Sequence, residues 1–251
     1  MGGCASVDKM MPKFSMGSSK PVKDYTLGGT TVELIDADPM KCEAENVVIP
    51  VFDGAIFDAD LYGIPAEDKE KVEPIIKQFL SGPISEKLKT GQVVSIPTEG
   101  KLAHEPYNSI KNVIFVPIAN TPTFARDRLS HLLLEIIKRC EEGKFSTILI
   151  PRLKKPNSIG SPDAEIASVT AKTCHLRFTR AQAPGEFVMS KVIFGCSDRK
   201  YIVELQKAFN EATGSTEKVG DPEEGSSLMP NMSMPTIPGL SKLTDMMPKF
   251  K

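Results

Sequence analysis

Arg152, Lys154 and Lys155 are followed within a few residues by Asn157, Ser158, Ile159, Gly160 and Ser161, and this order of cations, small polar residues and a glycine suits an anion. Lysine and arginine bring full charge, and Gly160 lets backbone N–H groups come close. Ser161, Pro162 and Asp163 then suit a helix start, with Ala164, Ile166, Ala167 and Ala171 at helical spacing beyond them. A helix N-terminus offers unpaired N–H groups and the positive end of its dipole, so the chemistry implied is phosphate binding by backbone and lysine. An ordinary strand-to-helix connection has the same composition, and the loop alone does not separate the two.

A second chemical signal lies at the start of the chain. Met1-Gly2-Gly3-Cys4-Ala5-Ser6 fits the N-myristoylation pattern at Gly2. One myristoyl chain holds a bilayer only weakly, and a palmitoylated Cys4 would supply the second anchor that stable association needs. Lys9, Lys13, Lys20 and Lys23 outnumber Asp8 and Asp24 nearby, which adds a weak attraction to anionic lipid. The expected location is the cytoplasmic face of a membrane if the chain is acylated, and the cytoplasm otherwise.

The remaining candidates for chemistry are poorer. His104 sits in a polar loop beside Glu105 without a nucleophile motif, while His131 lies in the Leu-rich helical segment and suits a helix-surface or core role better than a base; His175 is the third histidine. Asp53, Asp58 and Asp60 form an acidic cluster that suits either Mg²⁺ or, better, a solvated helix start. Cys4, Cys42, Cys140, Cys174 and Cys196 contain no CxxC pair, so neither a zinc site nor a disulfide framework is indicated. No catalytic constellation, metal site or cofactor is expected.

Composition bounds the rest. With 40% hydrophobic and 25% charged residues the chain is of globular type, and a net charge of −1 gives no reason to expect nucleic acid as a partner. No apolar run is long enough to cross a membrane.

These residues must be positioned by the middle of the chain. Thr31–Ile35, Asn46–Val51, Gln92–Pro97, Lys111–Ile118, the run bounded by Gly143 and Pro151, and Phe187–Phe194 read as strands, the second a continuous apolar run of the kind covered on both faces. Glu67–Leu80, Phe124–Cys140, the segment from Asp163, and Ser197–Phe209 read as helices. About six strands interleaved with helices predict a three-layer α/β/α sandwich on a mixed, mostly parallel sheet. Residues 1–30 read as a flexible arm, 31–212 as the folded domain and 213–251 as a disordered tail rich in Pro and Met. Met10-Met11-Pro12-Lys13-Phe14 recurs as Met246-Met247-Pro248-Lys249-Phe250, which suggests a short motif used twice for a protein partner; two biased segments that coincide would look the same.

In order and in several short segments the middle resembles a macro domain. Val32–Ile35 with Asp36-Ala37-Asp38-Pro39 resembles the family's first strand and its Gly-Asp-Ile-Thr turn, and Asp38 matches the Asp that takes the adenine amino group. Glu45-Asn46-Val47-Val48, Lys89-Thr90-Gly91-Gln92-Val93 and Asn112–Pro117 resemble three further strand segments. Ser146–Pro151 and the Gly160-Ser161-Pro162 loop resemble the second binding loop, and Lys191–Phe209 the closing strand and helix. The resemblance implies ADP-ribose or a related nucleotide as ligand, held by Asp38, Asn157, Ser158, Ile159, Gly160 and Ser161. Val48-Ile49-Pro50-Val51 stands where the family has Asn-Ala-Ala-Asn, and Phe52-Asp53-Gly54-Ala55-Ile56 follows without the glycine-rich loop. A binder without hydrolase activity is therefore implied, or a scaffold that has lost its ligand. The same segments, Val48–Gly54 and Lys89–Gln92, also resemble the N-terminal domain of leucine aminopeptidases.

Overall fold

The computed structural model of the chain describes residues 21–39, 42–52, 56–59, 62, 64, 66–102, 107–118, 126–154, 162–180 and 186–219. Seven strands form one sheet: β1 (Lys23–Leu27), β2 (Thr30–Ile35), β3 (Asn46–Phe52), β4 (Val94–Pro97), β5 (Asn112–Ile118), β6 (Thr147–Ile150) and β7 (Lys191–Gly195). Five α-helices accompany them: α1 (Ala66–Phe79), α2 (Pro83–Lys89), α3 (Arg126–Glu142), α4 (Asp163–Thr179) and α5 (Arg199–Thr213). The sheet order is β1-β2-β7-β6-β3-β5-β4. The inner five strands are parallel, and each edge strand pairs antiparallel with its neighbour.

Alternation along the strands divides the core in two, as a period of two residues requires. Val48, Ile114, Ile148 and Val192 face one way, onto Leu132, Leu133, Ile136 and Ile137 of α3 and Ile202, Leu205 and Phe209 of α5. Val47, Ile49, Phe115, Leu149 and Ile193 face the other way, onto Val72 and Ile76 of α1 and Leu88 of α2. Each such aliphatic side chain contributes about 1.5–3 kcal/mol when fully buried. α4 is covered on more than one side, burying Ile166, Ala167, Val169, Ala171 and Cys174. Its alanines let it pack between α3 and α5. The three layers expected from the sequence are present.

Three expectations change. Lys23–Leu27, inside the stretch read as an arm, is a strand, because Tyr25 stacks on Phe209 with ring centroids 5.2 Å apart and its hydroxyl donates to Asn210 Oδ1 at 2.8 Å. The Gly28-Gly29 turn then reverses the chain, and Gly28 takes φ +61° against the end of α4, where a Cβ would lie 2.3 Å from the Phe178 carbonyl oxygen. The folded unit also runs past residue 212: Asn210 donates to the Glu217 carbonyl, and Glu217 pairs with Lys23. Finally, Asp58 does not begin a helix. It is an exposed loop residue, and the next helix starts at Ala66. Asp53 and Asp60 lie outside the described residues.

Candidate functional site

Proline shapes the site before any charged residue does. β3 and β6 are adjacent, yet their ladder contains only Asn46↔Ile148 and Val47↔Leu149. Pro50 has no N–H to continue it, and Pro151 follows directly after β6. The Val48 carbonyl, left over by the short ladder, accepts instead from the buried Tyr62 hydroxyl at 3.0 Å. Beyond β3 the chain turns to helices on one face of the sheet, and beyond β6 to α4 on the other. Such a parting of connections is where open α/β sheets form clefts.

A cavity of about 440 Å³ opens there, at the C-terminal ends of the parallel strands. Its walls are Pro39 after β2, Pro50 of β3, Asp58 and Tyr62, Pro151 and Arg152 after β6, and Gly195 to Asp198 after β7. That volume lies within the roughly 300–1,000 Å³ of small-molecule sites. Gly195 is closely packed: a Cβ there would lie 3.0 Å from Leu149 Cδ1 and 3.1 Å from the Cys42 sulfur, so a larger residue would need both side chains to shift.

Ion pairs rim the opening. Arg152 Nη2 donates to both oxygens of Asp163, at 2.5 and 2.6 Å, and Nη1 to Asp198 Oδ2 at 2.8 Å. Its guanidinium lies 5.3 Å from the ring centroid of Tyr201. Asp198 also caps α5, accepting from the Lys200 N–H at 3.1 Å. Lys154 approaches Asp163 at 3.6 Å, and Arg199 approaches Asp36 at the same distance. One guanidinium thus ties together the starts of α4 and α5. Burial raises the Cys196 thiol pKa and pushes that of Cys42 up to about 12, so neither behaves as a ready nucleophile. Burial likewise raises the Tyr201 phenol.

The structure brings some of the sequence-derived residues together. Asp38 is half-buried in the loop after β2, beside the cleft residue Pro39, and its carbonyl accepts from the Cys42 thiol at 3.8 Å. Asn157, Ser158, Ile159, Gly160 and Ser161 lie outside the described residues, as do Lys155, His104, Gly2, Cys4 and both Met-Met-Pro-Lys-Phe segments. Of the two sides of that loop, Arg152 lines the cleft, and Asp163 at the start of α4 is hydrogen-bonded to it. Lys154 faces the Asp163 carboxylate. His131 is exposed on α3, and His175 is half-buried in α4 with an unbonded Nδ1. Among the described residues no three His, Cys, Asp or Glu side chains are grouped to hold a metal, and no helix is long and apolar enough to cross a membrane. Sequence reading missed Tyr62 and Asp198 as cleft residues. Gly195 gave the available signal, a glycine closing a buried strand, which often marks close backbone approach.

A mixed sheet with this strand order, layered between helices and open at its β3–β6 parting, has the macro-domain-like fold. Solved structures agree. The Oceanobacillus iheyensis macrodomain with MES bound superposes with a TM-score of 0.60 at 12% identity, over 76% of this chain and 97% of that one. Its form with ADP gives 0.54 at 15%, over 76% and 96%. The Trypanosoma brucei macrodomain in complex with ADP gives 0.51 at 11%, over 70% and 68%. No family sequence model matches the chain, and no curated protein sequence matches it.

Proposed function

We propose that the domain binds ADP-ribose or a related nucleotide in the cleft at the β3–β6 parting, and that it does so without hydrolysing it. The observation that carries this reading is the 440 Å³ cavity at the strand ends, lined by Pro39, the neighbour of Asp38 in the chain, and by Arg152, which pairs with Asp163 at the start of α4. Two of the solved neighbours, the Oceanobacillus iheyensis and Trypanosoma brucei macrodomains, hold ADP, and this supports a nucleotide as the ligand class. On this reading Asp38 meets the base, and Asn157 to Ser161 with the α4 start meet the phosphates. The lack of hydrolysis is inferred from Val48-Ile49-Pro50-Val51, which offers no amide side chain where the family has asparagines. Calorimetry of the full chain with ADP-ribose tests the binding. Gly160→Val should abolish the signal, because the added side chain blocks approach to the backbone; binding unchanged in that variant would place the ligand elsewhere.

We further propose that Gly2 is myristoylated and Cys4 palmitoylated, which would place the domain at the cytoplasmic face of a membrane. Gly2→Ala should move the protein to the soluble fraction, and Cys4→Ser should leave partial, reversible association. An unmodified N-terminus in the intact mass of protein from its native source would end this idea.

A second reading has its own support. Arg152 and Lys154, the described cations nearest the α4 start, already face Asp163 and Asp198. In that case the domain is a scaffold, with the two Met-Met-Pro-Lys-Phe segments recruiting partners. Absence of any heat with ADP-ribose at millimolar concentration would favour it.

A further inference from the structure

We infer that the groove between α3 and α4 is the seat of this chain's own Met10-Met11-Pro12-Lys13-Phe14, the copy of the repeated motif that precedes β1. The groove shares no lining residue with the nucleotide cleft, so the inference stands apart from the reading of that cleft.

The surface is singled out by its exposed side chains. Among the described residues the exposed large hydrophobics are Ile56, Leu134 and Leu176. Two of them, Leu134 on α3 and Leu176 on α4, line one groove of about 380 Å³ together with Val169. Apolar groups gathered in this way mark contact surfaces, whereas scattered ones do not. Most of the groove's polar groups are already engaged. Ser130 and Thr173 share a hydrogen bond at 3.0 Å, Lys172 pairs with Glu211 at 3.4 Å, and Arg177 pairs with Glu141. Apolar contact is what remains for an occupant. Methionines adapt to an irregular groove, and an aromatic residue anchors in one. Pro12 disposes Met11 to extended backbone, a form that lies along a groove between two helices.

The place where the chain enters the fold selects this copy. Val22 packs on the core, and the Tyr25 hydroxyl donates to Asn210 on α5. The next residue of α5, Glu211, is the one that pairs with Lys172 of the groove. Two side-chain contacts thus join β1 to the groove. Phe14 lies nine residues ahead of Lys23, a tether that spans up to about 30 Å. So short a tether holds the motif at an effective concentration in the millimolar range. The other copy, Met246–Phe250, begins 27 residues after Val219, the last described residue, and effective concentration falls steeply with tether length. A seated Met10–Phe14 is withheld from any partner that reads the motif.

Fluorescence anisotropy with a labelled peptide of residues 9–15 tests this on full chains. The starting chain has both copies disabled, by Met10→Ser, Met11→Ser and Phe14→Ser and by Met246→Ser, Met247→Ser and Phe250→Ser. The peptide should bind that chain, and a scrambled peptide should not. Leu176→Glu on one wall and Leu134→Glu on the other, both at exposed positions, should each weaken binding about tenfold or more. Melting curves confirm that each variant is folded. Restoring Met10, Met11 and Phe14 should fill the groove and weaken peptide binding about tenfold, and restoring the other copy should weaken it less. A peptide that does not bind the disabled chain overturns the inference, as does a scrambled peptide that binds equally. Binding unchanged in both folded leucine variants places the peptide elsewhere and also overturns it. Equal or stronger competition by Met246–Phe250 would give the groove to that copy. Competition by neither copy would leave it to a separate chain, and either result ends the assignment to Met10–Phe14.

Discussion

The two ends of the parallel sheet solve opposite problems with similar residues. At the N-terminal end Asn112 on β5 donates to Asn46 Oδ1 on β3 at 2.8 Å, and Asn46 donates to the Thr147 carbonyl on β6 at 3.0 Å. Ser95 on β4 donates to Asn112 Oδ1 at 3.0 Å, so one chain of bonds crosses four adjacent strands. Both asparagines are buried. Glu45 beside them accepts from the Ser146 N–H and hydroxyl and pairs with Lys111 at 2.5 Å. At the C-terminal end the same β3 and β6 separate, a proline stands in place of a donor, and charges on the rim pair with one another around a gap. The saturated end fixes strand register, because each buried asparagine is partnered on both neighbouring strands and a slip would orphan it. The gapped end keeps a surface that can still exchange partners. If the proposed ligand binds at the cleft, stability and binding fall to opposite ends of the same strands, and substitutions should separate them.

The largest effect is expected from Asn46→Ala. It leaves the Asn112 amide unpaired in the core and should cost about 2–4 kcal/mol in urea unfolding, with nucleotide affinity per folded molecule retained. A loss below about 0.5 kcal/mol would mean that water replaces the network.

Glu45→Gln should show a smaller loss with a clear pH signature. Its bonds to Lys111 and Ser146 lower the Glu45 carboxyl from 4.5 to about 2. A lowered carboxyl stabilises the fold above its unfolded pKa, and the gain is lost as pH falls from about 5 toward 2. Because the side chain is partly exposed, the difference from the unaltered protein should be about 1–2 kcal/mol at neutral pH and vanish near pH 2. A difference that stays constant with pH would show that the ion pair contributes nothing measurable.

The smallest effect belongs to the open end. Asp38→Ala should weaken adenine-containing ligands by about 1 kcal/mol, more than it weakens ribose 5-phosphate, and should leave the melting temperature nearly unchanged. Equal loss for both ligands would make Asp38 a structural residue and blur the division between the two ends.

Much of the fold is legible in the chain because two central strands, Asn46–Phe52 and Asn112–Ile118, are apolar after their first residue and buried at every position. The helix α3 is legible from Leu129, Leu132, Leu133, Ile136 and Ile137 on one stripe. β1 is not, since Lys-Asp-Tyr-Thr-Leu shows only two buried positions, and its partner Asn210 lies 185 residues away. α2 is too short for a helical period to show. For the site, composition draws attention to Arg152, but no local pattern reveals that its carboxylates come from Asp163 and, 46 residues away, from Asp198. Asp58 carries the signature of a helix start and is a loop residue because the chain first bridges back, Ile56 to Phe52. Spacing along the chain reports on one element at a time, and the cleft is built where four of them meet.

The sheet order also sets a schedule. The β1–β2 hairpin pairs on its inner side with β7, whose residues Lys191–Gly195 are among the last of the fold to be made. At synthesis rates of about 5–20 residues per second, the hairpin waits roughly 8–30 s for that partner. Throughout that interval Tyr25, Leu27, Val32 and Leu34, all buried in the finished domain, have neither β7 nor α5 to cover them. A nascent chain halted before Lys191 should therefore be cut by protease within its first strands, and one extended past Glu217 should resist.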